Sequence, residues 1–142
     1  MSVGIKKTEL QALAQAKIDD AILLYNNQRY SNAYYLAGYA IELALKACIA
    51  SQFTADTIPD KSFVVDIYGG HDLQKLIRLD GLSSELQAQS DRDVNFSTNW
   101  ALVAQWSEAK RYATTDSITA QAFFLAITDP DSGVLQWIKK FW

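Results

Sequence analysis

The stretch Ser31–Ala50 constrains the chain more than any other. It has no proline and is made mostly of good helix formers. It opens on Ser31, whose hydroxyl suits an N-cap. Its residues are apolar almost all round, which predicts a helix covered by neighbours on several sides rather than one lying on a surface. Glu42 and Lys46 interrupt the run at a spacing that lets them meet across one turn. On a helical period Tyr35, Gly38, Tyr39, Glu42 and Lys46 fall along one stripe. Gly38 costs about 1 kcal/mol relative to alanine in a helix interior, and close approach of another helix is the simplest compensation. Ala33, Ala37, Ala40, Ala44 and Ala47 also favour close packing.

Upstream, Thr8 and Gln11 have the spacing of a capping box. Leu10, Ala14, Ile18, Ala21 and Tyr25 then recur at steps of three and four, an amphipathic helix expected to end near Asn26-Asn27. A short turn through Arg29 and Tyr30 makes the first two helices an antiparallel hairpin. Gln52–Gly70 holds Pro59, Phe63-Val64-Val65 and Gly69-Gly70, and reads as a long connection without helical periodicity. His71-Asp72-Leu73 starts a short helix closed by Gly81 as its C′ residue. Ser84-Glu85-Leu86-Gln87 suggests another helical start, and Asp91-Arg92-Asp93 a solvated turn. Trp100, Leu102, Val103, Ala104 and Trp106 predict a helix from near Ser97 towards Tyr112. Ile118, Ala122, Leu125 and Ala126 predict the next. Asp129 as N-cap and Pro130 at the first helical position open a last helix with Val134, Trp137, Ile138 and Phe141 inward and Lys139-Lys140 in its final turn. The expectation is one all-α domain over residues 1–142, an up-down bundle of about five helices.

A length of 142 residues suffices for a core without disulfides or metal. The net charge of −3 supplies no general basic field for nucleic acid, although a local basic patch remains compatible with it. Cys48 is the sole cysteine, so neither a disulfide framework nor a thiolate cluster is expected, and its apolar setting marks a small buried hydrophobe. With one histidine and no cysteine pair, no metal site is expected, and no cofactor is implied. The N-terminus lacks the apolar core of a signal peptide, and Glu42 and Lys46 argue against a membrane span. A cytoplasmic chain without membrane contact is the expectation.

The segment Ala33–Lys46, with Gly38, Tyr39, Glu42 and Lys46, resembles the second helix of a HEPN domain (higher eukaryotes and prokaryotes nucleotide-binding). His71-Asp72-Leu73, Trp106 through Arg111-Tyr112, and Gly133–Lys139 follow in the order that family shows, so the likeness covers nearly the whole chain. The resemblance implies a HEPN-like bundle of four or five helices and frequent homodimerisation. It also implies roles in RNA cleavage, toxin–antitoxin pairs or phage defence, often beside a nucleotidyltransferase. Ribonuclease members carry an arginine followed after four to six residues by a histidine. The cation holds the scissile phosphate and the imidazole exchanges a proton as the 2′-hydroxyl attacks. Arg111 stands at the arginine position, but no histidine follows it; the sole histidine, His71, precedes it.

Each candidate residue keeps two readings. Glu42 and Lys46 contact a phosphate or ribose, or neutralise each other inside the bundle. Tyr35 and Tyr39 are core or dimer-contact aromatics, or base-stacking platforms. His71 is a helix-start residue bonded to backbone, or a general acid/base in a cleft shared with Lys46 or Arg111. Lys110-Arg111-Tyr112 joins two cations to an aromatic, suited to a phosphate and a stacked base and equally to a helix end. Trp100, Trp106 and Trp137 are core or interface. The resulting expectation is a noncatalytic HEPN protein that binds nucleotide or RNA through Tyr39, Glu42, Lys46, Lys110, Arg111 and Tyr112. The alternatives are a metal-independent endoribonuclease using Arg111 and His71, and a protein-interaction accessory subunit.

Overall fold

The computed structural model describes residues 4–142. Its order is α1 (Lys7–Asn26), α2 (Tyr30–Ala50), α3 (Lys61–Gly69), α4 (Leu73–Leu79), α5 (Ser83–Arg92), α6 (Val94–Val103), a 3-10 turn (Glu108–Tyr112), α7 (Ser117–Thr128) and α8 (Val134–Ile138). The described residues contain no strand, so the chain is an all-α bundle, built from eight α-helices where about five were expected. The extra ones are short: α3 forms inside the expected connection, and the helical starts at α4 and α5 are helices of their own.

The hairpin of α1 and α2 is the frame. Leu10, Ala14, Ile18 and Ala21 are the buried face of α1, as their spacing predicts. Its first turn is capped differently from expectation. Lys6, not Thr8, is the N-cap, and the Lys6 backbone N–H donates to the Glu9 carboxylate at 3.1 Å. Gln28 takes a left-handed φ of 63° in the turn, and the Asn27 side chain donates to the Leu23 carbonyl at 2.8 Å.

In α2, thirteen residues are buried, because α1, α4, α7, α8 and the 3-10 turn all pack against it. Ser31 is not its N-cap; that place belongs to Arg29. The Ser31 hydroxyl instead accepts from the Thr115 N–H at 2.7 Å, tying the start of α2 to the strap before α7. By length and mean hydropathy (1.2) α2 is long and apolar enough to cross a membrane, so Glu42 and Lys46 do not disqualify it on composition; 72% of that apolar window is buried inside the bundle. Cys48 is likewise buried, and desolvation pushes its thiol up to about 12.

The group that comes nearest to Gly38 is a side chain from a turn. A Cβ built there would lie 2.2 Å from atoms of the Trp106 indole, so the ring lies directly against the bare backbone. Trp106 is 2% exposed and stands in the turn after α6, which ends at Val103 rather than running on to Tyr112. That helix also begins earlier than expected, at Val94, because Asp93 ends α5 and caps α6, accepting from the Phe96 N–H at 3.1 Å. Asp91 and Arg92 therefore belong to α5 and do not form a turn.

Three further expectations change. The segment Gln52–Gly70 is not one long connection. Its second half is α3, capped by Asp60, whose carboxylate accepts from the Phe63 N–H at 3.2 Å. On α7 the core takes Ala120, Phe123, Phe124, Ala126 and Ile127, leaving Ile118 and Leu125 exposed. Asp129 and Pro130 do not start α8. Asp129 accepts from the Asp131 and Ser132 N–H groups at 2.8 Å in a preceding turn, and Gly133 is the N-cap. Val134, Trp137 and Ile138 do point inward; Phe141 is half-buried, and Lys139-Lys140 follow the helix rather than ending it. Gly81 is the residue after the α4 C-cap at φ 69°, as expected.

Asp80, at the end of α4, has both carboxylate oxygens buried without a partner; nearby Gln52 donates to the Leu79 carbonyl at 3.1 Å instead. Burial raises the Asp80 pKa to about 8, against a smaller opposing effect of nearby Gln52.

Two expectations follow from this packing. Gly38→Ala drives a methyl into the Trp106 ring and lowers stability by about 1–3 kcal/mol by urea denaturation, with Trp106→Leu restoring part of it in the double variant. Between its ordinary value of 3.8 and its folded value of about 8, Asp80 keeps a proton in the native state that the unfolded chain releases, so its contribution to stability falls as pH rises through that window and levels off above it. Asp80→Asn removes this slope and is more stable than wild type at pH 8, by an amount on the order of a few kcal/mol. Denaturation curves on either side of the window measure it.

Candidate functional site

The site is assembled by three separate pieces of chain on the Gly38 side of α2. The first is α2 itself, which carries Glu42 one turn beyond Gly38. Glu42 is 2% exposed, and one of its oxygens accepts from the Lys46 ammonium at 3.2 Å. Of the two readings of this pair, mutual neutralisation is met by the geometry.

The second piece is the corner between α3 and α4. Gly70 is buried there, and a side chain would strike the Asp66 carbonyl at 2.5 Å, so the corner leaves no room for one. Asp72 then caps α4, accepting from Gln74 and Lys75 N–H groups at 2.9 and 3.2 Å. His71 is held between the corner and the cap. It does not bond to backbone. Its Nδ1 lies 3.1 Å from the second Glu42 oxygen.

The third piece is the 3-10 turn. Glu108 at its start reaches the other ring nitrogen of His71, Nε2, at 2.8 Å, and its second oxygen lies 3.5 Å from the Arg111 guanidinium. Arg111 is exposed and lies over the Tyr112 ring at 4.8 Å. Tyr112, and after it Glu108, holds the guanidinium still more firmly in its charged form.

Lys46, Glu42, His71, Glu108 and Arg111 thus form a continuous chain of contacts, cation to carboxylate to imidazole to carboxylate to cation. A neutral imidazole has one N–H and donates to one carboxylate; only the imidazolium donates to both. In either form a carboxylate stands against each ring nitrogen and occupies the approach to it. The two carboxylates stand at opposite nitrogens of the ring and do not converge, and among the described residues no cluster of three or more His, Cys, Asp or Glu is arranged for a metal.

A cavity of about 440 Å³ opens beside this chain, bounded by His71, Gln74, Trp106, Ser107 and Glu108. The other sequence candidates surround it unevenly. Tyr39 is half-buried, edge-on to Tyr35 at 6.1 Å, and its hydroxyl pKa is raised chiefly by burial and then by Glu42. Tyr35 continues the contact to Trp106 at 5.9 Å. Tyr39 therefore packs on an aromatic ladder and is not an open stacking platform. Tyr112 is 81% exposed and Lys110 half-buried, both on the 3-10 turn and neither bounding the cavity.

Glu108 is the residue that sequence reasoning missed. Its position three residues before Arg111, the spacing of a pair within a turn, is the one local signal that marks it. No protein-family model matches the chain, and no match was found among curated proteins or solved structures.

Removing buried Glu42 leaves the half-buried Lys46 ammonium without its partner. Glu42→Leu is expected to cost about 3 kcal/mol in urea denaturation, and Glu42→Leu with Lys46→Met to recover most of it. A single variant no less stable than wild type would remove Glu42 from the framework of the site.

Proposed function

We propose that this chain is a HEPN-like protein that binds RNA or a nucleotide through its phosphate and does not cleave it. The observation that carries this reading is the double engagement of His71. With a Glu42 oxygen 3.1 Å from one ring nitrogen and a Glu108 oxygen 2.8 Å from the other, a 2′-hydroxyl has no open approach to either. Arg111 and Tyr112 supply an exposed cation beside an exposed aromatic ring, chemistry suited to a phosphate with an adjacent base. The resemblance of Ala33–Lys46 and of the pieces around His71 and Arg111 to HEPN domains adds the expectation of a cytoplasmic homodimer, partnered by a nucleotidyltransferase in a toxin–antitoxin or defence pair.

A second reading draws on the exposure of Glu108. Its side chain is 34% accessible and also touches Arg111, so a phosphate drawn to Arg111 competes with it and frees Nε2 while buried Glu42 still orients the ring. On that reading the protein is a metal-independent endoribonuclease with Arg111 holding the scissile phosphate and His71 moving the proton.

Labelled single-stranded RNA incubated without metal and run on a denaturing gel separates the two. The expected outcome is intact RNA with wild type, Arg111→Ala and His71→Ala alike. Anisotropy titrations should show binding that weakens severalfold in Arg111→Ala, with a salt slope reduced by about one. Cleavage by wild type that is lost in both variants would replace binding with catalysis. No retention of RNA or nucleotide by wild type would leave an accessory interaction subunit.

A further inference from the structure

On the far side of Lys46 from Glu42, α3 covers an open space. The helix has Phe63, Val64 and Ile67 along its inner face, yet none of its residues is buried. Beneath it lies a cavity of about 430 Å³ lined by Leu10, Ile49, Phe53, Val64 and Ile67. This volume falls within the range of small-ligand sites, and the lining is apolar with few polar groups, the usual composition of such sites.

Two of those polar groups are Lys7 and Lys46. Lys46 is engaged by Glu42, whereas no described carboxylate lies within ion-pair distance of Lys7. Lys7 is also the first residue of α1, where the helix dipole is already positive and a cation is unfavourable in isolation. A locally unfavourable charge at the edge of an apolar cavity that no described residue fills is expected where an anion completes the site. The rim is apolar too: Ile5, Phe53 and Tyr68 bound the cavity and are 54%, 42% and 62% exposed.

We propose that the space under α3 binds an aliphatic carboxylate, with the chain among Leu10, Ile49, Val64 and Ile67 and the carboxylate at Lys7. The site is independent of the RNA-binding reading.

Titration calorimetry of the intact protein with decanoate, below its micelle concentration, tests this. Saturable one-site binding is expected, weakening about fourfold for each methylene removed on going to shorter acids. Decanol, with the same chain and no charge, is expected to bind about tenfold more weakly, and Lys7→Met to abolish that preference. Val64→Trp and, separately, Ala50→Phe fill the cavity and should each abolish binding; having two fillers guards against one failing to fold, and circular dichroism identifies a variant that does. Absence of saturable decanoate binding, equal affinity for decanol, or retained binding in both folded filler variants would each overturn the proposal.

Discussion

A helix of twenty-one residues with apolar groups on every side has no stable place on a protein surface, and the remainder of this chain is arranged to cover α2. One long partner, α1, covers one side. The other sides are shared among short helices, each bringing a few large groups: Leu73, Leu76 and Ile77 from α4, Phe123 and Phe124 from α7, and Val134, Trp137 and Ile138 from α8. Short helices are marginal alone and gain their stability from what they bury. The α2 surface therefore organises them as much as they shield it.

The same arrangement concentrates charge. Once α2 is enclosed, Glu42 is a carboxylate with almost no access to water, and its burial is tolerable only with donors at both oxygens. Lys46 supplies one from the same helix. The other comes from His71, a residue twenty-nine positions away that is carried into place by the tight corner at Gly70 and the cap at Asp72. Requirements of folding at Glu42 thus bear on the position of the imidazole, which in turn meets Glu108 and, through it, Arg111. The charge chain that looks most like a functional site is continuous with the interaction that lets α2 be buried.

What the sequence made legible follows this division. The α1 face and the central role of α2 were readable because local spacing alone determines them, as was the Glu42–Lys46 pair one turn apart. Where neighbours decide, the reading failed. Helix α7 is apolar on most sides, so its own pattern does not say that Phe123 and Phe124 go in while Ile118 and Leu125 stay out. Helix α3 was hidden by a run of β-branched and aromatic residues that suggests extended chain, although Phe63, Val64 and Ile67 lie on one helical face and Asp60 is an ordinary cap. The meeting of His71 with Glu108 has no sequence signature at all, because it depends on where the loop after α6 returns to α2.

The contact between Gly38 and Trp106 joins two positions sixty-eight residues apart into one unit of volume. Neither position can change size by itself without opening a void or forcing atoms together. In inheritance the pair would behave as a single locus: a lineage that acquired a side chain at position 38 would have to shed the indole at 106 through a destabilised intermediate, so the two residues should persist together or be lost together.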